Sequence, residues 1–268
     1  MKNTKKILFL AIIFIIIAIT FLIIYLLKSN EYSKSTIGSL AYNCTKKQEY
    51  VYLFEDGKYI PYIVLHNNYS NNSDTLLLRK NVIGNGEYYI DYNGSIMKEK
   101  IYESNLEMSN VYNYEKTAVD SFLLNVFPKR FEQNLLDVIN NTKLNFSLYN
   151  NGNYNNYDIN RKFFVLSFLE LNTTNTWDNK STNRTILKYF ENDSKRVAQN
   201  DAGITVVYWT RTLAWSGYGA IGLNGSIITE TSSEAKYGIR PALTINSNIR
   251  IKKIYSEDYS KDIFVLDI

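Results

Sequence analysis

The sequence predicts an α+β fold with an antiparallel sheet and two to three helices, placed after one N-terminal transmembrane helix. Strand patterns fill residues 49–83, apolar residues recur at helical spacing over 115–139, and strand patterns return between 162 and 246. This order lacks the β-α-β alternation that accompanies a parallel sheet, so it favours an antiparallel one. The chain after the apolar segment has the length of one domain with its own core.

The N-terminal segment ILFLAIIFIIIAITFLIIYLL, residues 7–27, is apolar without interruption. As a helix it spans about 31 Å, which is enough to cross the hydrocarbon core of a bilayer. The apolar core of a signal peptide is shorter and is followed by a small-x-small cleavage site, which is not found here. The segment therefore predicts a single membrane span and contact with the lipid bilayer.

The remaining domain boundaries follow from that span. Three lysines and no acidic residue precede it, so the positive-inside bias places residues 1–6 in the cytoplasm. Residues 28–48 are polar and predict a stalk. Residues 49–268 are then expected to form an extracytoplasmic α+β domain.

The first strands of the domain are predicted at 49–66 and 74–83. Asp56-Gly57 interrupts the first of these runs, and this dipeptide is typical of a tight hairpin turn. The asparagine-rich tracts at 67–73 and 150–157 are interpreted as surface loops.

Helical spacing over residues 115–139, interrupted at Pro128, predicts two consecutive amphipathic helices. Further elements are expected downstream: strands at 162–171, 205–212 and 240–246, a short helix at 185–192, a hairpin at 219–229 and a final pairing in the C-terminal tail.

Several classes of function lack support in the composition. A net charge of +4 without a basic cluster argues against nucleic-acid binding, and the single Cys44 excludes an internal disulfide. His66 is the one histidine, and no nucleophile motif accompanies it, so it is interpreted as a strand-end residue. Residues 176–183 are the one modest calcium candidate, but a solvated turn explains them better. No metal and no cofactor is expected.

The aromatic residues near 208–218 are the candidate ligand-binding surface, because exposed rings can stack on sugars or bind peptides. The ligand-binding candidates are Trp215, Tyr218, Trp209 and Arg211. Trp209 and Arg211 share a strand face and can equally be scaffold. A buried arginine needs an anionic partner, so Arg211 and Arg240 are each expected either to pair in the interior or to line a concave surface. The interior alternative is favoured for both.

The motifs YWTRT (208–212) and YGIRPAL (237–243), with the strand that begins at Phe164 and the helix carrying Ser121 to Phe127, resemble the bacterial family called domain of unknown function 6273. The resemblance covers roughly residues 50–248. It implies a fold similar to the C-type-lectin-like domain of formylglycine-generating enzymes, although a shared fold does not establish a shared function. Formylglycine-type oxidation needs cysteine thiolates, of which this chain has one. The resemblance also implies a structural role for Tyr237, Gly238, Arg240 and Pro241.

These observations favour a non-enzymatic, membrane-anchored binding module at the cell surface, with a glycan, cell-wall or protein ligand. Two alternatives remain open: a cell-surface hydrolase that uses dispersed carboxylates, and a structural partner of another membrane protein.

Overall fold

The computed structural model describes most of the chain. The described residues are 12–24, 35–70, 73–84, 89–90, 96–97, 114–150, 153–173, 185–214, 217–230 and 237–268.

Fourteen strands lie in these ranges. They are β1 (Tyr50–Glu55), β2 (Lys58–Asn67), β3 (Asp74–Arg79), β4 (Tyr89–Ile90), β5 (Ile96–Met97), β6 (Thr142–Asn150), β7 (Asn153–Arg161), β8 (Phe163–Phe164), β9 (Tyr208–Ala214), β10 (Gly217–Ile221), β11 (Ile227–Glu230), β12 (Ala242–Asn246), β13 (Ile251–Ser256) and β14 (Lys261–Leu266).

The helices are short. Residues 12–24 form α1, and the others are α2 (Tyr42–Thr45), α3 (Ala118–Asn125), α4 (Gln133–Val138) and α5 (Asp193–Arg196). Single 3₁₀ turns occupy Ile37–Leu40, Tyr114–Lys116, Phe127–Arg130 and Lys188–Phe190.

The large sheet has the strand order β13-β14-β1-β2-β3-β12-β8. All of its pairs are antiparallel except β1–β14, whose register aligns Tyr52 with Val265. A smaller sheet has the order β11-β10-β9, and β6 and β7 form a separate hairpin. The predicted α+β class is therefore confirmed, with a large sheet that is antiparallel in all but one pair and with few helices.

The helical region packs against the β8 end of the large sheet through aromatic side chains. Phe127 meets Phe163 edge to face with ring centroids 4.9 Å apart, and Phe131 stacks on Phe163 at 5.2 Å. All three rings are buried, and burial of each ring stabilises the fold by roughly 1.5–3 kcal/mol. The predicted break at Pro128 is present, since a 3₁₀ turn separates α3 from α4.

The predicted hairpins form where turn chemistry is strongest. Asp56 and Gly57 adopt φ of 50° and 78°, the pair of positive angles that a tight two-residue turn requires. The other predicted hairpin joins β10 to β11, with Gly225 at φ 82°.

Two predictions about local structure were wrong. Residues 153–157 of the asparagine tract are not a loop but belong to β7, which pairs with β6 from Thr142↔Arg161 to Asn150↔Asn153. Cross-strand pairing overrides the low strand propensity of asparagine there. The strand predicted at 162–171 ends after Phe164, because the next main-chain groups bond to side chains instead: the Val165 carbonyl accepts from Arg211.

Part of the predicted stalk belongs to the folded domain. Ile37 and Ala41 are fully buried, and the Ile37 amide donates to the carbonyl of Ile249 at 2.9 Å. The Gly38 amide donates to the carbonyl of Ser247 at 3.0 Å. The folded unit therefore extends at least from Ser35.

The predicted membrane span is described only in part. Residues 12–24 are helical with exposed apolar side chains, whereas residues 7–11 and 25–27 lie outside the described part of the chain. Among the described residues, no helix combines the length and the apolar character that a membrane crossing requires.

Candidate functional site

The residues predicted to bind a ligand are buried where the structure describes them. Trp209 and Arg211 on β9 are 1% and 2% exposed, and Tyr218 on β10 is 5% exposed. Trp215 lies outside the described residues. The structure therefore places three of the four candidates in the interior, where they form no open site.

Arg211 is held in the interior by Glu170. Its Nη1 donates to Oε2 of Glu170 at 2.6 Å and to the Val165 carbonyl at 2.8 Å, while Nη2 contacts Oε1. The hydroxyl of Tyr69 and the amide of Ser167 also donate to the same carboxylate. This charge pair is internally compensated and has no need of an external ion.

The Glu170 pair makes stability depend on pH. Burial alone raises the pKa of Glu170, but the Arg211 charge and the hydrogen bonds outweigh it, so the pKa lies below its ordinary value of 4.5. A carboxyl whose pKa is lower in the folded state contributes stability above its ordinary pKa and loses it as the pH falls through the folded value. The stabilisation is therefore complete above about pH 4.5–5 and declines in more acid solution.

We expect Glu170→Gln to be less stable than the wild type at pH 7 and the difference to narrow progressively below about pH 4.5. Urea unfolding midpoints of both proteins between pH 7 and pH 3 measure this. A stability difference that stays constant down to pH 3 would contradict the assigned role of Glu170.

The YGIRPAL motif joins β9 to the large sheet. The Gly238 amide donates to the Val207 carbonyl at 2.8 Å, and the Trp209 amide donates to the Gly238 carbonyl at 2.9 Å. The ring of Tyr237 packs on Trp209 with centroids 4.7 Å apart. The carbonyl of Pro241 accepts from the Arg79 amide at 2.8 Å. Tyr237, Gly238 and Pro241 thus lie at the junction between the sheets, as a structural role requires.

Arg240 differs from the other buried arginines of the described chain, which are Arg79, Arg196 and Arg211. Each of those three pairs with a carboxylate. Arg79 pairs with Glu55 and Asp201, Arg196 pairs with Asp193, and Arg211 pairs with Glu170. Arg240 is 4% exposed, its Nε donates to the Arg79 carbonyl at 3.1 Å, and its Nη1 has no hydrogen-bond acceptor. No described carboxylate pairs with it, so the internal partner expected for Arg240 was not found there.

The nearest polar groups cannot supply a negative charge to Arg240. Its guanidinium lies 5.5 Å from the ring centre of Tyr208, and a hydrogen bond between the two side chains partly offsets the larger effect of burial on the pKa of Tyr208. Burial raises the pKa of Tyr208, and burial raises the pKa of Tyr189 to about 12, although the Arg240 charge opposes both shifts. Both hydroxyls are therefore neutral near pH 7. A buried cation without an anion is costly, and an anion brought by a ligand would offset that cost.

Arg240 lines a pocket of about 320 Å³. The other lining residues come from residues 48–50, from β2, from the chain that follows β3 and from residues 189–199, and they are Gln48, Tyr50, Ile63, Lys80, Asn81, Tyr189, Ser194, Lys195, Val197, Ala198 and Gln199. None of them is acidic, whereas Lys80 and Lys195 add two positive charges. We call this cavity the Arg240 pocket.

Two tyrosines form walls of the Arg240 pocket, and each carries a lysine over its ring. Lys80 Nζ lies 5.8 Å from the ring centre of Tyr50, and Lys195 Nζ lies 5.2 Å from that of Tyr189. Gln48 links the walls, because Oε1 accepts from the Tyr189 hydroxyl at 2.7 Å and Nε2 contacts the Tyr50 hydroxyl. The result is a polar, donor-rich cavity with a fixed cation at its buried end.

Neither of the two cavities in the described chain contains the side chains that acid–base or metal-dependent catalysis would need. A second cavity of about 280 Å³ has Glu132 as its one acidic side chain, and the histidine His66 lines neither cavity. No cluster of three metal-ligating side chains occurs in the described ranges. Cys44 is exposed on α2. These observations give no support to a carboxylate-pair hydrolase at either cavity.

Residues 72–247, well over half of the chain, match the family described as domain of unknown function 6273. The chain belongs to this family. No curated protein and no solved structure matches it. The 6273 region extends from β3 to β12 and contains Arg240, Lys80 and Lys195, whereas Gln48 and Tyr50 come from the segment that precedes it. The Arg240 pocket is therefore completed by residues outside the 6273 match.

Sequence reasoning missed most of the pocket. Arg240 was recognised as unusual, but Tyr50, Lys80, Tyr189 and Lys195 carry no motif and are separated by long stretches of chain. The sequence points to the pocket only through Arg240, for which lining a concave surface is one of the two expected roles.

Proposed function

We propose that this chain is a membrane-anchored, extracytoplasmic binding module that recognises an anionic group of its ligand in the Arg240 pocket. The main support is Arg240, a buried arginine that has no described carboxylate partner. It lines a cavity that also contains two lysines and no acidic side chain. A carboxylate or phosphate on a glycan, a cell-wall fragment or a peptide would accept a hydrogen bond from its Nη1.

The membrane anchor in this proposal rests on the apolar segment 7–27. The exposed apolar side chains of residues 12–24 support it, since such a surface is unfavourable in water. The lysines that precede the segment support a cytoplasmic N-terminus. Trp215, which lies outside the described residues, is a second candidate contact for the same ligand.

The test is a binding screen with the full chain in a detergent that has a sugar headgroup, using matched neutral and anionic glycans, cell-wall fragments and peptides. We expect an anionic member to bind the wild type and to lose at least about 30-fold in affinity with Arg240→Met, because removing one partner of a buried charge pair costs 2 kcal/mol or more. Lys129→Met is the control, since Lys129 is exposed and lies outside the pocket.

Binding that Arg240→Met leaves unchanged would remove the pocket from the proposal. Including Trp215→Ala in the screen separates the two candidates, because a ligand bound at Trp215 and not in the pocket loses affinity with that variant alone.

The same variant has a stability readout. We expect Arg240→Met to change the free energy of unfolding by no more than about 1 kcal/mol, because the lost hydrogen bond to the Arg79 carbonyl is offset by removal of an unpaired buried charge. Urea unfolding of the ligand-free protein measures this. A loss of several kcal/mol would instead indicate that Arg240 is a structural clamp.

A further inference from the structure

We infer that the anionic group taken by the Arg240 pocket is a phosphoryl group carrying close to two negative charges. This inference rests on the proposed function and narrows its ligand from anions in general to one chemical class.

The first argument is charge balance. Arg240, Lys80 and Lys195 bring three positive charges to one cavity of about 320 Å³, and none of its lining residues is acidic. Lys80 and Lys195 are exposed to water, and a single carboxylate would neutralise only one of the three charges. A phosphate monoester carries about −1.5 to −2 at neutral pH and neutralises most of the set.

The second argument is the balance of hydrogen-bond donors and acceptors. The free Nη1 of Arg240 and the ammonium groups of both lysines are donors. The Gln48 carbonyl oxygen is already occupied by Tyr189 and, at 3.4 Å, by Lys195. A ligand that reaches Arg240 and the two lysines therefore meets donors there, and the three acceptor oxygens of a phosphoryl group suit these three side chains better than the two of a carboxylate.

The third argument is geometric. Arg240 is fixed at the buried end through its bond to the Arg79 carbonyl. Lys80 and Lys195 are exposed side chains on separate elements, held over the rings of Tyr50 and Tyr189. A group bound at Arg240 thus has one positioned guanidinium and two ammonium groups from other elements around the same cavity, which supplies donors from more than one side of a tetrahedral anion.

The experiment compares glycerol phosphate with glycerate, a pair that shares a polyol and differs in the anionic group. Both are titrated by calorimetry into the full chain in the sugar-headgroup detergent at one ionic strength. We expect glycerol phosphate to bind at least 10-fold more tightly than glycerate. Lys80→Met and Lys195→Met should each reduce its affinity at least 3-fold, and Lys129→Met should leave it unchanged.

A further arm identifies the source of the phosphoryl group. Short-chain phosphatidic acid, dispersed in the same detergent, presents a phosphate monoester on a lipid. Preference for it over glycerol phosphate supports the phosphoryl assignment with a lipid headgroup as the source, and the opposite preference supports it with a free or polymer-borne phosphate.

The outcomes separate this inference from the proposed function. Glycerate binding as tightly as either phosphate compound, with the Arg240→Met effect intact, overturns the phosphoryl assignment and leaves an anion-binding pocket. No binding of either phosphate compound also overturns it. Failure of every anionic compound in the earlier screen to distinguish the wild type from Arg240→Met overturns the proposed function itself.

Discussion

Arg211→Met should lower the free energy of unfolding by about 3–5 kcal/mol, because it leaves the carboxylate of Glu170 buried without its counter-charge. Glu170 is 1% exposed, and its remaining donors are the Tyr69 hydroxyl and the Ser167 amide. Two neutral donors cannot replace a bidentate guanidinium. Urea unfolding at pH 7 measures the loss.

The double variant Glu170→Leu/Arg211→Met is the control for this result. Removing both charges leaves no uncompensated ion, so we expect it to be more stable than Arg211→Met alone by at least about 1 kcal/mol. Equal losses for the single and double variants would show that packing, and not charge, dominates at this position. Comparison with Arg240→Met is also informative, because both arginines are buried and only Arg211 pairs with a described carboxylate.

Gly238→Ala is the second substitution with a large expected effect, a loss of about 1–3 kcal/mol from overpacking. A methyl group at this position would overlap Cγ1 of Val82 and lie 2.9 Å from the carbonyl oxygen of Ile83. Gly238 also bonds in both directions to the chain around β9, so it cannot move away without breaking those bonds. Thermal and urea unfolding measure the loss.

Two further variants show whether the overlap is the cause. Gly222→Ala is the matched control, because its methyl group would meet nothing closer than 3.3 Å, and we expect a change within about 0.5 kcal/mol. Adding Val82→Ala to Gly238→Ala removes one of the two overlapping atoms, so the combined loss should be smaller than the sum of the single losses. Strict additivity would argue against direct contact between the two side chains.

The sequence predicted the elements whose causes are local. The Asp56-Gly57 turn, the break at Pro128 and the buried strand that begins at Ala242 each follow from neighbouring residues. Pairing between distant segments could not be predicted from local sequence. Residues 153–157 join a strand because β6 lies opposite, and β8 ends because Glu170 and Arg211 take up the main-chain groups that follow it.

The candidate site divides in the same way. Arg211 and Arg240 look alike in the sequence, each a lone charge within a β-rich run. Only the fold distinguishes them, since it places Glu170 against Arg211 and a cavity against Arg240. A residue's charge can be read from the sequence, whereas the presence of a partner 41 positions away depends on tertiary structure.

The attachment of residues 35–41 has a mechanical consequence. This segment is hydrogen-bonded to Ser247, Ile249 and Ile251, which lie where β12 leads into β13. A force applied to the chain before Ser35 would therefore first load the connection between those two strands and not the start of β1. Both bonded stretches lead along the chain to residues that line the Arg240 pocket. Residues 35–41 continue through α2 to Gln48, and the chain after β12 is connected through that strand to Arg240.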